Sequence, residues 1–250
     1  MPSLHVLAAG SLLDFKIREV GMPVGRIEWL YMYPMSFIEF LYAYNQDMLV
    51  EAVLNHNAGQ PISEAIHHLA LSLLGEYLAI GGMPASVKCW INTKDIFGCA
   101  RLLQAIKNTY KKDFDKYAKK HQIKYVELLF SYIPKRLGRK FKYSEISPDY
   151  KKRELEPALE LLVMAGIVTK VLKSSGQGIP LGAQASDQNF KVIFLDIALS
   201  QAVLGLDIGT WIVNPLQQFI NKGEFVEAFV GQELLAYSSP FKDPSLYYWH

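Results

Sequence analysis

Residues 126–195 contain the pattern that most limits the fold of this chain: three helical segments followed by two strand segments around a glycine-rich turn. The helical segments have apolar residues at three- and four-residue spacing, and the last of them ends at Gly166. The predicted helices are 126–137, 143–146 and 155–165, the strands are 167–172 and 190–195, and the turn lies at 174–178. Pro157 falls near the start of the third helix, where its missing N–H is best tolerated. This order of elements is that of a winged helix, a relative of the helix-turn-helix motif.

A helical pattern extends over residues 36–124. Ser36 and Glu39 have the three-residue spacing of a capping box, which predicts that a helix begins there. The sequence Gly-Gly-Met-Pro at 81–84 is a typical stop signal at the end of a helix. A further long helix is predicted over 95–120 from its apolar spacing.

Both ends of the sequence carry strand patterns. Residues 5–9 are an apolar run without alternation, typical of a parallel strand that is covered on both faces, and 27–32 is a second strand candidate. Near the other end, 223–237 has a helical pattern and 246–250 begins another strand. Because a strand without neighbours leaves backbone groups unpaired, we expect both ends to be cuts through larger sheets. The expected fold class is mainly α with smaller α/β parts.

Short motifs follow one another in a definite order along the chain. They are Ala8-Ala9-Gly10-Ser11-Leu12-Leu13, Gly25-Arg26, Tyr-Pro-x-Ser-Phe-x-Glu-Phe at 33–40, Gly-Gly-x-Pro at 81–84, Ala-Gly-Ile-Val at 165–168, Pro-Leu-Gly-Ala at 180–183 and Phe-Lys-x-x-Phe-Leu-Asp at 190–196. In this order they resemble the C-terminal part of prokaryotic AAA-type ATP-binding proteins. Those proteins carry a C-terminal domain of unknown function, built from a winged helix and a tail similar to restriction endonucleases.

The resemblance implies four regions in this chain. They are the end of a P-loop-type ATPase sheet at 1–35, a helical lid at 36–124, a winged-helix domain at 125–205 and the truncated start of a restriction-endonuclease-like α/β domain at 206–250. The family pattern for that last domain includes an acidic residue on the helix, here Glu227 or Glu233. In this chain, however, we expect both residues to be capping or surface groups rather than catalytic ones.

Two parts of the family pattern are absent from the sequence. There is no Gly-x-x-x-x-Gly-Lys-Ser/Thr phosphate loop, and no apolar strand ends in paired acidic residues that would hold Mg²⁺. The acidic pair and lysine of the nuclease pattern are also missing after the last strand. The resemblance implies ATP and Mg²⁺ as cofactors of the intact family, but we expect none for this chain alone. We therefore expect a C-terminal fragment of a nucleic-acid-associated or regulatory ATPase, without catalytic residues or a metal site of its own.

Two residues are candidates for sensing a nucleotide in the intact family. Ser11 lies where the resemblance implies a polar residue near the terminal phosphate, although it could equally follow Gly10 as a turn or cap residue. Arg26 could present its guanidinium to phosphate charge, in cis or from a neighbouring subunit, or it could form a surface ion pair. Both sensing roles depend on the nucleotide site that the sequence lacks.

Basic residues are concentrated in the middle of the chain. The segment 107–153 holds 15 of the 26 Lys and Arg residues but only 5 of the 24 Asp and Glu residues. Eight of these basic residues surround the start of the third winged-helix helix and are candidates for contacting nucleic-acid phosphates. They are Lys135, Arg136, Arg139, Lys140, Lys142, Lys151, Lys152 and Arg153. The alternatives are a solvated basic face and a winged helix that binds protein, and the lysines of 107–124 fit a solvated face better.

Other functional classes have little support in the sequence. Cys89 and Cys99 have neither metal-ligand spacing nor a nearby histidine, and the adjacent His67 and His68 point to different sides of a helix. The longest apolar region, 69–80, is too short to cross a bilayer. We expect a cytoplasmic protein with DNA, a protein partner or a second copy of itself as candidate partners, and no membrane. The alternative function is a free-standing winged-helix module that binds DNA or protein, and an active nuclease is a weak third hypothesis.

Overall fold

The structure is a computed structural model that describes residues 5–10, 15, 25–206, 209–213 and 223–249. It is mainly helical with a small three-stranded mixed sheet, in agreement with the expected fold class. The helices are α1 (Phe37–Ala43), α2 (Asp47–Asn55), α3 (Glu64–Ile80), α4 (Pro84–Thr93), α5 (Ile96–Tyr117), α6 (Lys120–Tyr132), α7 (Lys152–Met164), α8 (Ile197–Leu204), α9 (Thr210–Val213) and α10 (Gly223–Ala236). The strands are β1 (Val168–Ser174), β2 (Ala185–Phe194) and β3 (Leu246–Tyr248).

The start of α1 is fixed by the capping box that the sequence predicts. The Ser36 hydroxyl accepts a hydrogen bond from the Glu39 N–H at 3.2 Å, and a Glu39 carboxylate oxygen accepts one from the Ser36 N–H at 2.7 Å. Two of the backbone donors that a helix N-terminus leaves unpaired are satisfied in this way. The prediction is confirmed.

The helices and the sheet share one apolar core. Its largest fully buried side chains include aromatic residues from three different helices, Phe40, Tyr77 and Phe114. Phe130 of α6 lies edge-on to Phe114 with ring centroids 5.3 Å apart and also contacts Phe194 of β2 at 5.4 Å. Burial of such side chains is the main stabilising contribution in a fold of this kind.

The sheet has the order β2–β1–β3. β1 and β2 are antiparallel, with Val168 opposite Phe194 at one end and Ser174 opposite Ala185 at the other. At the far edge of β2, Lys140 forms a single antiparallel bridge with Lys191, and the Phe141 N–H donates to the Phe190 carbonyl at 2.8 Å. A short extended segment between α6 and α7 therefore also belongs to the edge of the sheet.

Helix α7 begins earlier than the sequence pattern predicts. It starts at Lys152 rather than at residue 155, because a Glu154 carboxylate oxygen accepts a hydrogen bond from the Lys151 N–H at 2.9 Å and so satisfies a donor at the helix start. Pro157 consequently lies further inside the helix than the sequence pattern predicts. Its ring cannot donate to the Arg153 carbonyl, so this turn lacks one ladder bond.

The two strands predicted near the beginning of the chain are not formed. Residues 5–10 and 27–32 have no strand assignment, and residues 5–10 are exposed. A strand is stable only beside a hydrogen-bonded neighbour, and none of the described strands pairs with these residues. The structure describes residues 5–10, 15 and 25–35 of the region 1–35, and the end of an ATPase sheet there stays a prediction.

The strand predicted at the end of the chain is formed and pairs with a strand of the preceding region. β3 pairs with β1 in parallel, with Val171 opposite Leu246 and Lys173 opposite Tyr248. Helix α10 packs against β2, where Ile193 lies 3.2 Å from the position a β-carbon on Gly231 would take. The tail thus completes the sheet of the preceding region instead of beginning a separate one. None of the helices in the described residues is long and apolar enough to cross a membrane.

Candidate functional site

Asp196 joins the helical region to the sheet region through hydrogen bonds to backbone. It is fully buried, and its carboxylate accepts hydrogen bonds from the Leu199 N–H at 2.8 Å and from the Gly82 N–H at 2.7 Å. The first bond caps α8 and the second holds the turn after α3. Burial raises the pKa of this carboxyl from its ordinary 3.8 to about 6, although the backbone hydrogen bonds oppose the shift. We call these contacts the Asp196 clasp.

Glycine is required at both Gly81 and Gly82, because a β-carbon at either position would clash with a neighbouring group. Gly81 has a φ of +75°, and a β-carbon there would lie 2.4 Å from a carboxylate oxygen of Asp196. A β-carbon on Gly82 would lie 2.1 Å from the Met35 carbonyl oxygen. The Gly-Gly-Met-Pro sequence therefore allows three segments to meet here: the turn itself, the strand-to-helix connection at Asp196 and the residues before α1.

Glu233 of α10 caps α1. Its two carboxylate oxygens accept a hydrogen bond from the Phe37 N–H at 3.1 and 3.0 Å, and the Tyr237 hydroxyl donates to it at 2.7 Å. The buried hydroxyl of Tyr77 lies 3.2 Å from Glu233, and burial raises the pKa of the Glu233 carboxyl. The expectation that Glu233 is a capping group is confirmed, and Glu227 is paired with Lys191 at the surface.

Asp196 and Glu233 have structural roles in this chain. The carboxylates of Asp196 and Glu233 accept hydrogen bonds from backbone N–H groups of other segments and so hold those segments together. Among the residues that the structure describes, no three His, Cys, Asp or Glu side chains could together hold a metal ion. With no phosphate loop in the sequence, the donors that ATP and Mg²⁺ require are not provided by this part of the chain.

The two nucleotide-sensing candidates are not brought together by the described structure. Ser11 lies outside the described residues. Arg26 is exposed, and it forms no ion pair with another residue that the structure describes. Its sensing role stays a prediction.

Several of the basic candidates converge around Glu145 and Tyr143, in the 3-10 turn before α7. Arg136 forms an ion pair with Glu145 at 2.7 Å, and Lys142 reaches the same carboxylate at 3.3 Å. The ammonium of Lys152 lies 5.8 Å from the centre of the Tyr143 ring. Two cations, Arg136 and Lys142, therefore share the single carboxylate of Glu145, which leaves a net positive charge on this surface.

The eight candidates divide into two groups by their partners. Four have acidic partners: Arg136 and Lys142 share Glu145, Arg139 pairs with Glu224 of α10, and Lys152 pairs with Glu156. The other four are exposed and have no ion pair with any described acidic residue. These unpaired cations are Lys135, Lys140, Lys151 and Arg153.

A shallow, open pocket of about 430 Å³ lies beside the N-terminus of α7. Its lining combines hydroxyl groups with two ammonium groups. The residues are Tyr143, Ser144, Ser147, Pro148, Tyr150, Lys151 and Lys152. The Tyr143 hydroxyl is buried and has no hydrogen-bond partner among the described residues, and its burial raises the pKa of the phenol. Next to the pocket, Glu154 accepts bonds from Lys151 and Tyr125, and the backbone bond is the main reason that its pKa is lowered.

Residues 71–208 match a family model described as Domain of unknown function (DUF8612). The chain belongs to this family. The DUF8612 match includes the Gly81–Gly82 turn, all eight basic candidates and Asp196, whereas Arg26 and Glu233 lie outside it. No curated protein and no solved structure matches the chain. The DUF8612 match does not test the resemblance to AAA-type ATPases.

Sequence reasoning found the basic residues of this DUF8612 domain but missed what partly neutralises them. Glu145 lies three residues after Lys142 and its pairing was accessible from that spacing. Glu224 is 85 residues away from Arg139, and no local pattern indicates their contact. The role of Asp196 was also missed, although an aspartate directly before a helical pattern is an N-cap signal.

Proposed function

We propose that this chain is a winged-helix module that binds duplex DNA by its phosphates, as a non-catalytic part of an AAA-type ATP-binding protein. The observation that carries the proposal is the charge at the start of α7. Lys151, Lys152 and Arg153 follow one another there, and all three are exposed.

The placement of these cations is unfavourable for the helix itself. A helix N-terminus carries a partial positive charge, so each nearby cation costs about 0.3–1 kcal/mol. Three consecutive basic residues at such a position therefore lower the stability of α7 when nothing is bound. A phosphate at the same place would be attracted by the cations and by the partial positive charge of the helix N-terminus. The three cations therefore favour the binding of an anion at the start of α7 but do not stabilise the helix itself.

The order of elements supports the winged-helix part of the proposal. After α6, the short extended segment at 140–141 lies on the edge of β2, and a 3-10 turn, α7, β1 and β2 follow. A winged helix has this order, including the short first strand between its first two helices. In such modules the third helix, here α7, is the one that approaches DNA.

The connection to an ATPase rests on the order of sequence motifs that resemble that family. Nothing in the described residues provides a phosphate loop or a metal cluster. The contribution of this chain would therefore be binding or regulation, with ATP and Mg²⁺ held by residues that it does not supply.

The proposal is tested by fluorescence anisotropy of a labelled DNA duplex at low salt. Lys151→Ala with Arg153→Ala removes two unpaired cations from the start of α7, and we expect this variant to bind DNA at least tenfold more weakly, since phosphate contacts dominate such affinity. The control is Lys88→Ala with Lys242→Ala, which removes the same charge from exposed sites elsewhere. Absence of DNA binding at low salt, or equal losses in the two variants, would contradict the proposal.

A second candidate function, protein binding, is favoured by the connection between β1 and β2. Residues 174–190 contain one charged residue, Asp187, so this wing offers no cation to DNA. Ile179 at its tip is 97% exposed, and the nearby Trp249, 3.4 Å from the position of a β-carbon on Gly176, is 79% exposed. Loss of partner binding in Ile179→Ser, with DNA binding unchanged, would support this function.

A further inference from the structure

Along most of α7, the side chains on the solvent face are unfavourable for contact with DNA. Leu155, Ala158, Leu159 and Leu162 form the buried face of the helix. The opposite face has the three- and four-residue spacing of one helix side and is formed by Lys152, Arg153, Glu156, Pro157 and Glu160. Beyond the first turn, this face therefore has two carboxylates and a proline where a helix in the major groove would need donors to base edges.

We infer that α7 does not read bases, and that the module binds duplex DNA without sequence preference, through phosphates at the first turn of α7 and the segment before it. This inference rests on the proposed function and specifies its substrate. The side chains that usually read base edges in the major groove are Arg, Lys, Asn and Gln. On the solvent face of α7 these are Lys152, which is paired with Glu156, and Arg153, both at the very start of the helix.

The two carboxylates are not free to act as base readers. A glutamate can accept a hydrogen bond from the amino group of cytosine. Here, however, Glu156 is 3.3 Å from the Lys152 ammonium, and Glu160 is paired with Lys170 of β1. Both side chains are about half exposed, so they also repel the phosphates on either side of a groove. Insertion of the helix would bring these charges closer to DNA than contact by its tip alone.

The wing between β1 and β2 has no basic residue from 174 to 190, so its exposed Gln177, Gln184 and Gln188 have no cation beside them that would hold them against DNA. The four unpaired cations all lie in the segment from Lys135 to Arg153, before or at the start of α7. Phosphate contacts position a protein on DNA but carry no sequence information. The geometry therefore provides attachment to the backbone without base recognition.

The test compares the affinities of the full chain for several labelled duplexes of equal length and unrelated sequence. We expect dissociation constants within about threefold of one another, whereas base-reading proteins prefer their sites by a factor on the order of 10³ or more. Binding of one duplex at least a hundredfold tighter than the others would overturn the inference while leaving DNA binding intact. No binding to any duplex would instead overturn the proposed function, and the inference with it.

A charge-neutralising variant gives a second, independent readout. Glu156→Gln with Glu160→Gln should strengthen binding to every duplex by the same factor, roughly two- to fivefold for each carboxylate, the range covered by exposed charge pairs. Glu64→Gln is the control, because Glu64 is 91% exposed on α3. Weaker binding of the double variant to cytosine-rich duplexes would show that the carboxylates contact bases and would overturn the inference.

Discussion

Replacement of Asp196 by asparagine tests the clasp between the helical region and the sheet region. The side chain is fully buried, with one oxygen facing the Leu199 N–H and the other facing the Gly82 N–H. Asparagine keeps the size of the side chain but has only one oxygen. One of the two N–H groups then faces an amide NH₂, and an unsatisfied buried donor costs about 1–3 kcal/mol.

The same substitution also removes a buried negative charge, which makes its effect depend on pH. The pKa of Asp196 is raised from 3.8 to about 6 by burial. A group whose pKa is raised in the folded state adds stability that is fully present below pH 3.8 and is lost as the pH rises through 6. This difference between the two pKa values corresponds to about 3 kcal/mol in the free energy of unfolding. The wild-type protein should therefore gain most of this amount over Asp196→Asn when the pH falls from 7 to 4.

The assay is urea unfolding followed by tryptophan fluorescence at several pH values between 4 and 7. At pH 7 the lost hydrogen bond and the removed charge oppose each other, so we expect the two free energies of unfolding to differ by less than about 2 kcal/mol. At pH 4 the wild type should be clearly the more stable protein. Asp187→Asn, which removes an exposed carboxyl from β2, is the control. If the wild-type and Asp196→Asn free energies stay parallel from pH 4 to pH 7, the reasoning is refuted.

Two further predictions concern the glycine turn and the absence of catalysis. Gly82→Ala should lower the free energy of unfolding by about 3 kcal/mol or more in urea titrations, because its β-carbon would lie 2.1 Å from the Met35 carbonyl oxygen. The control is Gly223→Ala, which has open space around its β-carbon and should change the free energy of unfolding by less than about 1 kcal/mol. Equal stability of the two glycine variants would contradict the close approach. The purified chain should release no phosphate from ATP with Mg²⁺ above the buffer background, and clear turnover that is abolished in Arg26→Ala would show that a nucleotide site exists in this chain.

Local features of the fold could be predicted from the sequence because their causes are local. The capping box at Ser36 needs only the three-residue spacing to Glu39, and the start of α1 follows from it. The helices and strands of 126–194 were predicted in the right order for the same reason. The start of α7 was missed because Lys151 is not a usual N-cap residue, and the cap is formed by Glu154 inside the helix.

Contacts between distant parts of the chain could not be predicted from local patterns. The pairing of β3 with β1 joins residues 75 positions apart, and nothing in Leu246–Tyr248 specifies a parallel neighbour. Residues 5–9 have the composition of a buried strand, but a strand also needs a partner, and composition does not reveal whether one is present. For the candidate site, the sequence located the cations, but no local spacing indicated the ion pairs of Arg136 with Glu145 and of Arg139 with Glu224.

The salt dependence of DNA binding tests the central claim most directly. Four unpaired cations at Lys135, Lys140, Lys151 and Arg153 predict a slope of log K against log salt concentration of about −3 to −4. Lys151→Ala with Arg153→Ala should reduce the magnitude of the slope by about 2, since each lost phosphate contact contributes about 0.9. A slope near zero, or one that this double variant leaves unchanged, would contradict phosphate binding at the start of α7.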